Sequence, residues 1–587
     1  MERYQDALRV PVSRRRFLWL TGITAGVVSS GLLAACGSDD DGETPPSTGS
    51  DATPTTGAST GGDATATPGD TADTTPAAEA PTSPSGEGEG APGGELIVAA
   101  TQDGYRTEPN RANVGQYPLN TNIFETLVRL TPDYQVEPVL AESWEFVEPN
   151  TWRFLLREGV TFHDGTPFTA EAVQWSMGRI AAVGGGQLGV DETSVEIVDD
   201  FTVAITPSRT NLRVIQQISH PSNSIVAPDT EPAEIRVGTG PFMEVEYLPE
   251  DRYVVEANPD YWGDAPQLSQ ITFRFIPDPT TRVLALQSGE VDLVVEVPRE
   301  SARDLTSMDG LSLVTSKVGA YEALYVNIHG EEPYDLGQEK AVREAVAYGI
   351  DKDSIVNGVW QGNAEISNTM IPPAILGDAG DIITGTTFDP DRARQILEDA
   401  GWVEGSGGVR EKDGRQLKLT MIVGFPNAEI HTPMPEFVQA QLADIGIEMD
   451  IVQTPDTAIY EARLQTGEGD LWAEAGSQND GNPCFLPDLL FYSPDPEGDP
   501  ESMAYGNAFA PGAAFDAHID DCRAAVTTEE VQDAAAEAMK VLVDDEFVVI
   551  PLAGTFRLYG VSAKVQGFEA HPSGVNQRWA SVSVDEG

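Results

Sequence analysis

The sequence has 587 residues, enough for several domains, and 40% of them are hydrophobic, so the chain can bury a large core. It contains 94 acidic and 35 basic residues, and the formal net charge of −59 argues against binding to the phosphates of nucleic acids. With only three cysteines, the chain cannot be a disulfide scaffold. The composition indicates an acidic globular protein and is not typical of a polytopic membrane protein.

Residues 1–36 have the pattern of an export signal. The basic segment Ser13–Leu18 resembles the twin-arginine signal, and the apolar run Phe17–Ala35 follows it directly. That run ends in Leu33–Cys36, which resembles a bacterial lipobox and predicts lipid attachment at Cys36 after cleavage. The alternative is an uncleaved transmembrane anchor, because the run is nearly long enough to span a bilayer. Both interpretations place the remaining chain outside the cytoplasmic membrane.

Residues 37–93 consist mainly of Ser, Thr, Pro, Gly, Ala and Asp and contain almost no large apolar side chain. Such a segment buries too little surface to offset the entropy of ordering. We therefore predict a flexible tether between the lipid and a folded body.

From residue 94 onward, helix and strand signals alternate, which predicts an α/β body. The pairs Asp278-Pro279 and Asp389-Pro390 each begin a predicted helix, because Asp caps the amino terminus and Pro fits the first turn. Gly289 and Gly401 end these two helices, and a third helix is predicted at about residues 340–348. The predicted strands are Leu96–Ala99, Trp152–Leu156, Val203–Thr206, Ile271–Ile276, Val291–Val295, Ala323–Ile328, Leu417–Val423, Ile447–Val452 and Phe547–Ile550.

Several segments along this body together resemble family 5 of the bacterial solute-binding proteins, which includes carriers of oligopeptides, dipeptides and nickel. The segments are Phe124–Val128, Pro138–Trp144, Trp152–Gly165, Gly238–Phe242, Asn258–Trp262, Tyr325–Asn327, Ala341–Ala345, Ile350–Lys352 and Ile371–Pro373. Each segment alone is weak, but their order and spacing match the family from about residue 94 to near the end of the chain.

This resemblance implies a two-lobed, periplasmic-binding-protein-like α/β fold of type II, in the large cluster with an extra subdomain in lobe I. Lobe I would comprise residues 94–319 and return at 553–587, and lobe II would comprise residues 320–552. The ligand would lie between the lobes, which close around it. The protein would be a monomer without enzymatic activity or cofactor. It would deliver a peptide or similar small solute to the permease of an ABC-type importer, from the periplasm or from a lipid anchor on the outer face of the cytoplasmic membrane.

The resemblance also suggests where the ligand binds. In peptide-binding members, a Trp precedes an acidic, glycine-rich loop whose Asp pairs with the ligand's ammonium group. Here Trp472 precedes the loop 479–482, in which Asp480 is the matching acid and Asn479 occupies the matching register; Asn482 completes the loop. The alternatives are a polar turn, since Asn-Asp-Gly-Asn is turn chemistry, and a core role for Trp472.

From lobe I, the resemblance points to Gln116 and Tyr117 as further ligand contacts. The Arg that would bind the carboxylate of a free dipeptide is absent from residues 427–431, so a longer peptide, a cationic solute or a neutral one fits better. No two His have the i, i+4 spacing of a metal site, and His431 is only a weak candidate for contacting a metal chelate.

Two other functions remain open at this point. A ligand-sensing receptor domain without transport would use the same fold. A secreted hydrolase is less well supported, because no Gly-x-Ser-x-Gly elbow or other nucleophile signature is present.

After export, Cys484 and Cys522 are expected to form a disulfide, since they are the only cysteines of the mature chain besides Cys36 and belong to one predicted lobe.

Overall fold

The computed structural model describes residues 93–101, 109–111, 121–147, 150–182, 194–207, 214–228, 236–423, 433–455, 457–479, 481–493, 508–525 and 527–585. Five residues of the predicted sites lie outside these ranges: Cys36, Gln116, Tyr117, His431 and Asp480. The same holds for the predicted signal and tether. Among the residues that are described, no helix is long and apolar enough to cross a membrane.

The strands, numbered along the chain, are β1 Glu95–Ala100, β2 Val128–Leu130, β3 Val136–Pro138, β4 Ala141–Val147, β5 Thr151–Leu156, β6 Val195–Asp199, β7 Thr202–Ile205, β8 Phe242–Leu248, β9 Arg252–Ala257, β10 Gln270–Phe275, β11 Leu293–Val294, β12 Leu311–Thr315, β13 Ala320–Val326, β14 Ala364–Ile366, β15 Val403–Glu404, β16 Arg410–Lys412, β17 Arg415–Gln416, β18 Lys418–Val423, β19 Glu448–Gln453, β20 Leu471–Ser477, β21 Val549–Thr555, β22 Leu558–Ser562, β23 Val565–Gln566 and β24 Ser583–Val584.

The α-helices are α1 Ala170–Ala182, α2 Val214–Ile218, α3 Pro279–Ser288, α4 Arg299–Thr306, α5 Lys340–Gly349, α6 Lys352–Val359, α7 Pro373–Leu376, α8 Pro390–Asp399, α9 Met434–Asp444, α10 Thr457–Gln465, α11 Phe485–Phe491, α12 Ala513–Ala524 and α13 Thr528–Lys540. Short 3-10 turns occur at Pro109–Arg111, Pro221–Asn223, Leu336–Gln338 and Gly377–Ile382, and a π-helical turn at Val541–Asp545 extends α13.

The local signals in the sequence explain where two of these helices begin. Asp278 accepts a hydrogen bond from the backbone N–H of Thr281 at 2.7 Å, and Asp389 caps α8 in the same way. Gly289 follows α3 with a φ of 76°, a conformation that glycine adopts without steric cost. These caps and the helix at Lys340–Gly349 confirm the predicted helices.

Three sheets organise the chain. The seven-stranded sheet has the order β12-β22-β11-β1-β10-β9-β8, and the six-stranded sheet has the order β14-β21-β13-β20-β18-β19. A four-stranded sheet, β4-β5-β7-β6, shares a hydrophobic core with α1 and forms the extra subdomain. We call the part built on the seven-stranded sheet, with this subdomain, lobe I, and the part built on the six-stranded sheet lobe II. Helices cover lobe II's sheet on both faces, which explains its continuous apolar strands.

The chain passes between the two large sheets at 316–319, from β12 to β13, and at 556–557, from β21 to β22. The two passes are hydrogen-bonded to each other: Ser316 N–H donates to Arg557 O and Arg557 N–H donates to Ser316 Oγ, both at 3.0 Å. Strand β21 pairs with β13 and β14 up to Thr555, three residues beyond the predicted end of lobe II at 552. The predicted two-lobed α/β fold is confirmed by these sheets and their two connections.

Candidate functional site

The carboxyl end of β20 brings polar side chains to the junction of the lobes. Strand β20 lies between β13 and β18 in lobe II's sheet, and the chain leaves it at Ser477. The backbone N–H of Gln478 then donates to the carbonyl of Gly319, in the first connection between the lobes, at 3.2 Å. Tyr134 of lobe I donates its hydroxyl to the carbonyl of Gln478 at 3.1 Å. Gln478, which follows a strand of lobe II, is therefore also held by lobe I and by the first connection.

Gln478 and Asn479, at the start of the loop 478–482, have buried side-chain amide atoms without hydrogen bonds. Gln478 is 1% exposed, and within the described part of the chain neither its side-chain oxygen nor its nitrogen has a partner. The side-chain oxygen of Asn479 is buried in the same unsatisfied way. Leaving a buried polar group unpaired costs about 1–3 kcal/mol of stability, so the presence of such a group in a folded protein calls for a structural or functional explanation. Their position at the lobe junction makes them candidates for contacting a ligand.

A hairpin of lobe I covers this loop. Strands β2 and β3 pair, and the hairpin's Leu130 and Tyr134 join lobe II's hydrophobic cluster. The ring of His571 contacts Tyr134 edge-on at 6.2 Å, and its Nε2 lies 3.3 Å from the carbonyl of Leu130. Burial lowers the pKa of His571 to about 4, so the ring is neutral at pH 7. The hairpin is thus attached to lobe I while its tip closes over lobe II.

Trp472 was predicted either to stack on a ligand or to pack in the core, and the structure favours the core. The side chain is 0% exposed, and its ring contacts Tyr460 and Phe509 edge-on at 5.2 and 6.4 Å. Its indole N–H donates to the carbonyl of Glu468 at 3.0 Å. The ring fills the interior of lobe II and supports the strand that carries Gln478.

Asn482 was predicted to contact a ligand, but its side-chain oxygen accepts a hydrogen bond from Cys484 N–H at 3.0 Å. This bond belongs to the turn that leads into α11, which matches the alternative interpretation of a polar turn. Cys484 is joined to Cys522 of α12 by a disulfide. The end of the loop is therefore anchored in the core of lobe II.

The sequence interpretation missed several polar residues on the same side of lobe II's sheet as Gln478, together with Tyr134 of the hairpin. Alternation along β20 places Trp472, Glu474, Gly476 and Gln478 on one side of the sheet, so the signal was present in the sequence. Glu474 is buried and accepts a hydrogen bond from the Tyr460 hydroxyl. Three other missed residues are Tyr134, Tyr321 and Tyr325; the hydroxyls of the last two lie 2.6 Å apart. In the residues described, no group of three His, Cys, Asp or Glu side chains could hold a metal ion.

These features define a class of protein: two α/β lobes, joined by two adjacent connections, with buried polar groups where they meet. The chain belongs to the bacterial extracellular solute-binding proteins, family 5, whose model matches residues 135–497, more than half of the chain. This match confirms the family resemblance of the sequence.

Relatives with known names support the same assignment. The nickel-binding periplasmic protein of Escherichia coli is 28% identical over 365 residues, which cover 59% of this chain and 68% of the relative. Heme-binding protein A of Haemophilus influenzae is 27% identical over 485 residues, covering 77% and 84%. The crystal structure of NikA from Brucella suis in complex with Fe(III)-EDTA has a TM-score of 0.73 at 24% identity, covering 84% of this chain and all of that one. The last likeness is one of fold.

Proposed function

We propose that the protein is an extracytoplasmic solute-binding protein that delivers a peptide or similar small solute to an ABC-type importer. The observation that carries this proposal is the buried, unsatisfied amide of Gln478 and the equally unsatisfied side-chain oxygen of Asn479 at the lobe junction. Relatives are named for binding nickel, heme, glutathione or dipeptides, so the family alone leaves the solute open.

The chemistry of the amides favours a solute with several polar groups. A side-chain amide offers two N–H donors and one carbonyl acceptor, which matches the alternating donors and acceptors of peptide bonds. Within a site that closure keeps dry, each neutral hydrogen bond to the solute contributes about 0.5–1.5 kcal/mol and also removes the penalty for an unpaired group. Asp480 lies next to this pair in the sequence and remains our candidate for a cationic group of the solute.

Solute entry requires the lobes to separate, and we infer that the chain bends at the two connections 316–319 and 556–557. Two polar contacts tie the hairpin to Gln478 and to the first connection: the Tyr134–Gln478 hydrogen bond and the Lys317–Asp133 ion pair. Closure would reform these contacts and bury the solute against Gln478 and Asn479.

Gln478→Met tests the binding role, because methionine keeps the shape of the side chain and removes the unsatisfied amide. We expect the ligand-free protein to gain about 1–2 kcal/mol of stability. Occupancy by the solute that co-purifies with the protein should fall at least tenfold. Native mass spectrometry measures the occupancy, and denaturant unfolding of the stripped protein measures the stability.

Gln439→Met is the matched control, since the Gln439 amide donates to the carbonyl of Met449 at 2.7 Å on an outer helix of lobe II. This change should destabilise the protein and leave solute occupancy unaltered. A Gln478→Met protein that loses stability and keeps its solute would show that the amide has a structural role only.

We also propose that Cys36 is the lipid attachment site. Cys36→Ser should abolish lipid modification, so the protein should move from the membrane fraction into the soluble envelope fraction or accumulate unprocessed. Fractionation and intact-mass measurement decide, with wild-type protein as the reference. Unchanged processing and membrane retention would favour the uncleaved transmembrane anchor.

A further inference from the structure

The β2–β3 hairpin packs in the hydrophobic cores of both lobes. Val128, at the start of β2, is fully buried in the core of the extra subdomain. Leu130, at the end of the same strand, is 1% exposed and belongs to lobe II's cluster, as does Tyr134 at the hairpin tip. One short strand of lobe I therefore reaches from its own core into the core of the other lobe.

Hydrogen bonds within the tip fix its conformation. Thr131 N–H donates to the carbonyl of Gln135 at 2.9 Å, and Tyr134 N–H donates to the carbonyl of Thr131 at 2.8 Å. The Thr131 hydroxyl also accepts from the N–H groups of Asp133 and Gln135, at 3.2 and 3.1 Å. The tip is thus a defined turn that presents Tyr134 in one orientation.

The backbone of Tyr134 has an unusual conformation for a bulky residue. Its φ is 58°, in the left-handed region that glycine and asparagine adopt readily and that large side chains disfavour. A glycine would satisfy the turn with less strain. Strained residues of this kind cluster at functional sites, where other contacts of the side chain compensate for the strain.

The contacts of the Tyr134 side chain join the two lobes. Its hydroxyl donates to the carbonyl of Gln478 at 3.1 Å. Leu130 and Tyr134 also fill the space beside Gly481 of lobe II, where an added Cβ would lie 3.4 Å from Leu130 Cδ1 and 3.5 Å from Tyr134 Cδ1. On the lobe I side, the ring meets His571 edge-on. All these contacts are made by protein atoms alone, so they do not depend on a solute.

The apolar contacts of the tip are its main contribution to closure. The ion pair between Lys317 and Asp133 lies beside them, but both side chains are more than half exposed, and such pairs contribute little. Separation of the lobes would move Leu130 and Tyr134 from a core into water, which is unfavourable with or without a solute.

We propose that the hairpin tip Leu130–Gln135 is a latch that keeps the lobes closed in the solute-free protein. The inference rests on the proposed function, because a latch has a role only where the lobes open to admit a solute. A solute then enters only in the intervals when the tip has left lobe II, so the latch slows both uptake and release.

The test measures the separation of the lobes in solute-free protein. Gln287→Cys on α3 of lobe I and Glu537→Cys on α13 of lobe II place nitroxide labels at exposed positions on opposite lobes. Electron–electron double resonance gives the distribution of label distances, and protein without the two introduced cysteines gives the background.

Two variants of the latch are compared with one control, all in the labelled protein. Leu130→Ala/Tyr134→Ala removes the apolar contacts with lobe II. Tyr134→Phe keeps the ring, and therefore the fold, and removes only the hydroxyl that reaches Gln478. Gln135→Ala is the control, since it changes the exposed side chain next to Tyr134 in the same turn.

We expect solute-free wild type to show mainly the label distance that the structure gives for closed lobes. The ratio of closed to open molecules should fall at least 100-fold in the double variant, so that the open distance becomes visible. It should fall about 2- to 10-fold in Tyr134→Phe and stay unaltered in Gln135→Ala. A solute-free wild type that is mainly open would overturn the inference, and so would latch variants whose distances match those of the control.

The outcome is independent of the test of the binding role, because no solute is present. Unchanged distances together with loss of solute in Gln478→Met would reject the latch and leave the proposed function standing. Altered distances together with retention of solute in Gln478→Met would reject the binding role of Gln478 and support the latch.

Discussion

Replacing Trp472 with alanine is expected to lower the free energy of unfolding by about 3–5 kcal/mol, as for other fully buried tryptophans. The ring packs against Tyr460 and Phe509 inside lobe II, and its N–H satisfies the carbonyl of Glu468. The truncation would leave a cavity and an unpaired carbonyl in the same place. Denaturant unfolding of solute-free protein measures the loss.

The same variant distinguishes core packing from stacking on a solute. A residue that only stacks on the solute changes affinity and leaves the stability of the stripped protein within about 0.5 kcal/mol of wild type. Trp152→Ala is a useful control, since Trp152 is half-buried on β5 of the extra subdomain. It should cost less stability and leave solute occupancy unchanged. A stable Trp472→Ala protein that has lost its solute would contradict the core assignment.

Those parts of the fold that depend on local chemistry could be predicted from the sequence. Asp-Pro pairs and following glycines specify both ends of α3 because each group acts on atoms within one turn. The continuous apolar run Phe547–Ile550 predicts a strand covered on both faces, and the core clusters of lobe II confirm this for β21, since Val549 belongs to one cluster and Ile550 to the other. The two-lobed arrangement was predicted from the order and spacing of the segments that resemble family 5, because local signals alone do not determine it.

The candidate site was harder to predict because its properties arise from contacts between distant segments. Gln478 is buried partly because Tyr134 reaches it from 344 residues away in the chain. No spacing rule relates these two positions, and a glutamine after a strand is more often exposed. Trp472 lies on β20 and Asn482 in the loop after it, and their neighbours determine that the first packs in the core and the second caps a turn.

The second large effect is expected from the disulfide between Cys484 and Cys522. The bridge spans 38 residues along the chain and connects the end of the 478–482 loop to α12. In the chain-entropy model, closing a loop of this length stabilises the folded state by about 4 kcal/mol. The double variant Cys484→Ala/Cys522→Ala should therefore lower the free energy of unfolding by about this amount.

Intact mass without reductant must first show that the bridge forms in protein taken from cell envelopes, because export through the twin-arginine route would place folding before oxidation. Both sulfurs are buried among the apolar side chains of lobe II, so an already folded protein would have to open locally before an oxidant could reach them. Cytoplasmic precursor should accordingly carry three free thiols, because it retains Cys36 unmodified, and lipidated envelope protein none. Two free thiols in envelope protein would contradict the prediction, and the double variant would then lose only the small packing contribution of two thiols.

If the bridge is present, its loss should also raise the mobility of the 478–482 loop, since Cys484 follows Asn482 by two residues. Hydrogen exchange of the backbone amides in this loop, compared between the wild type and the double variant, measures that effect separately from global unfolding.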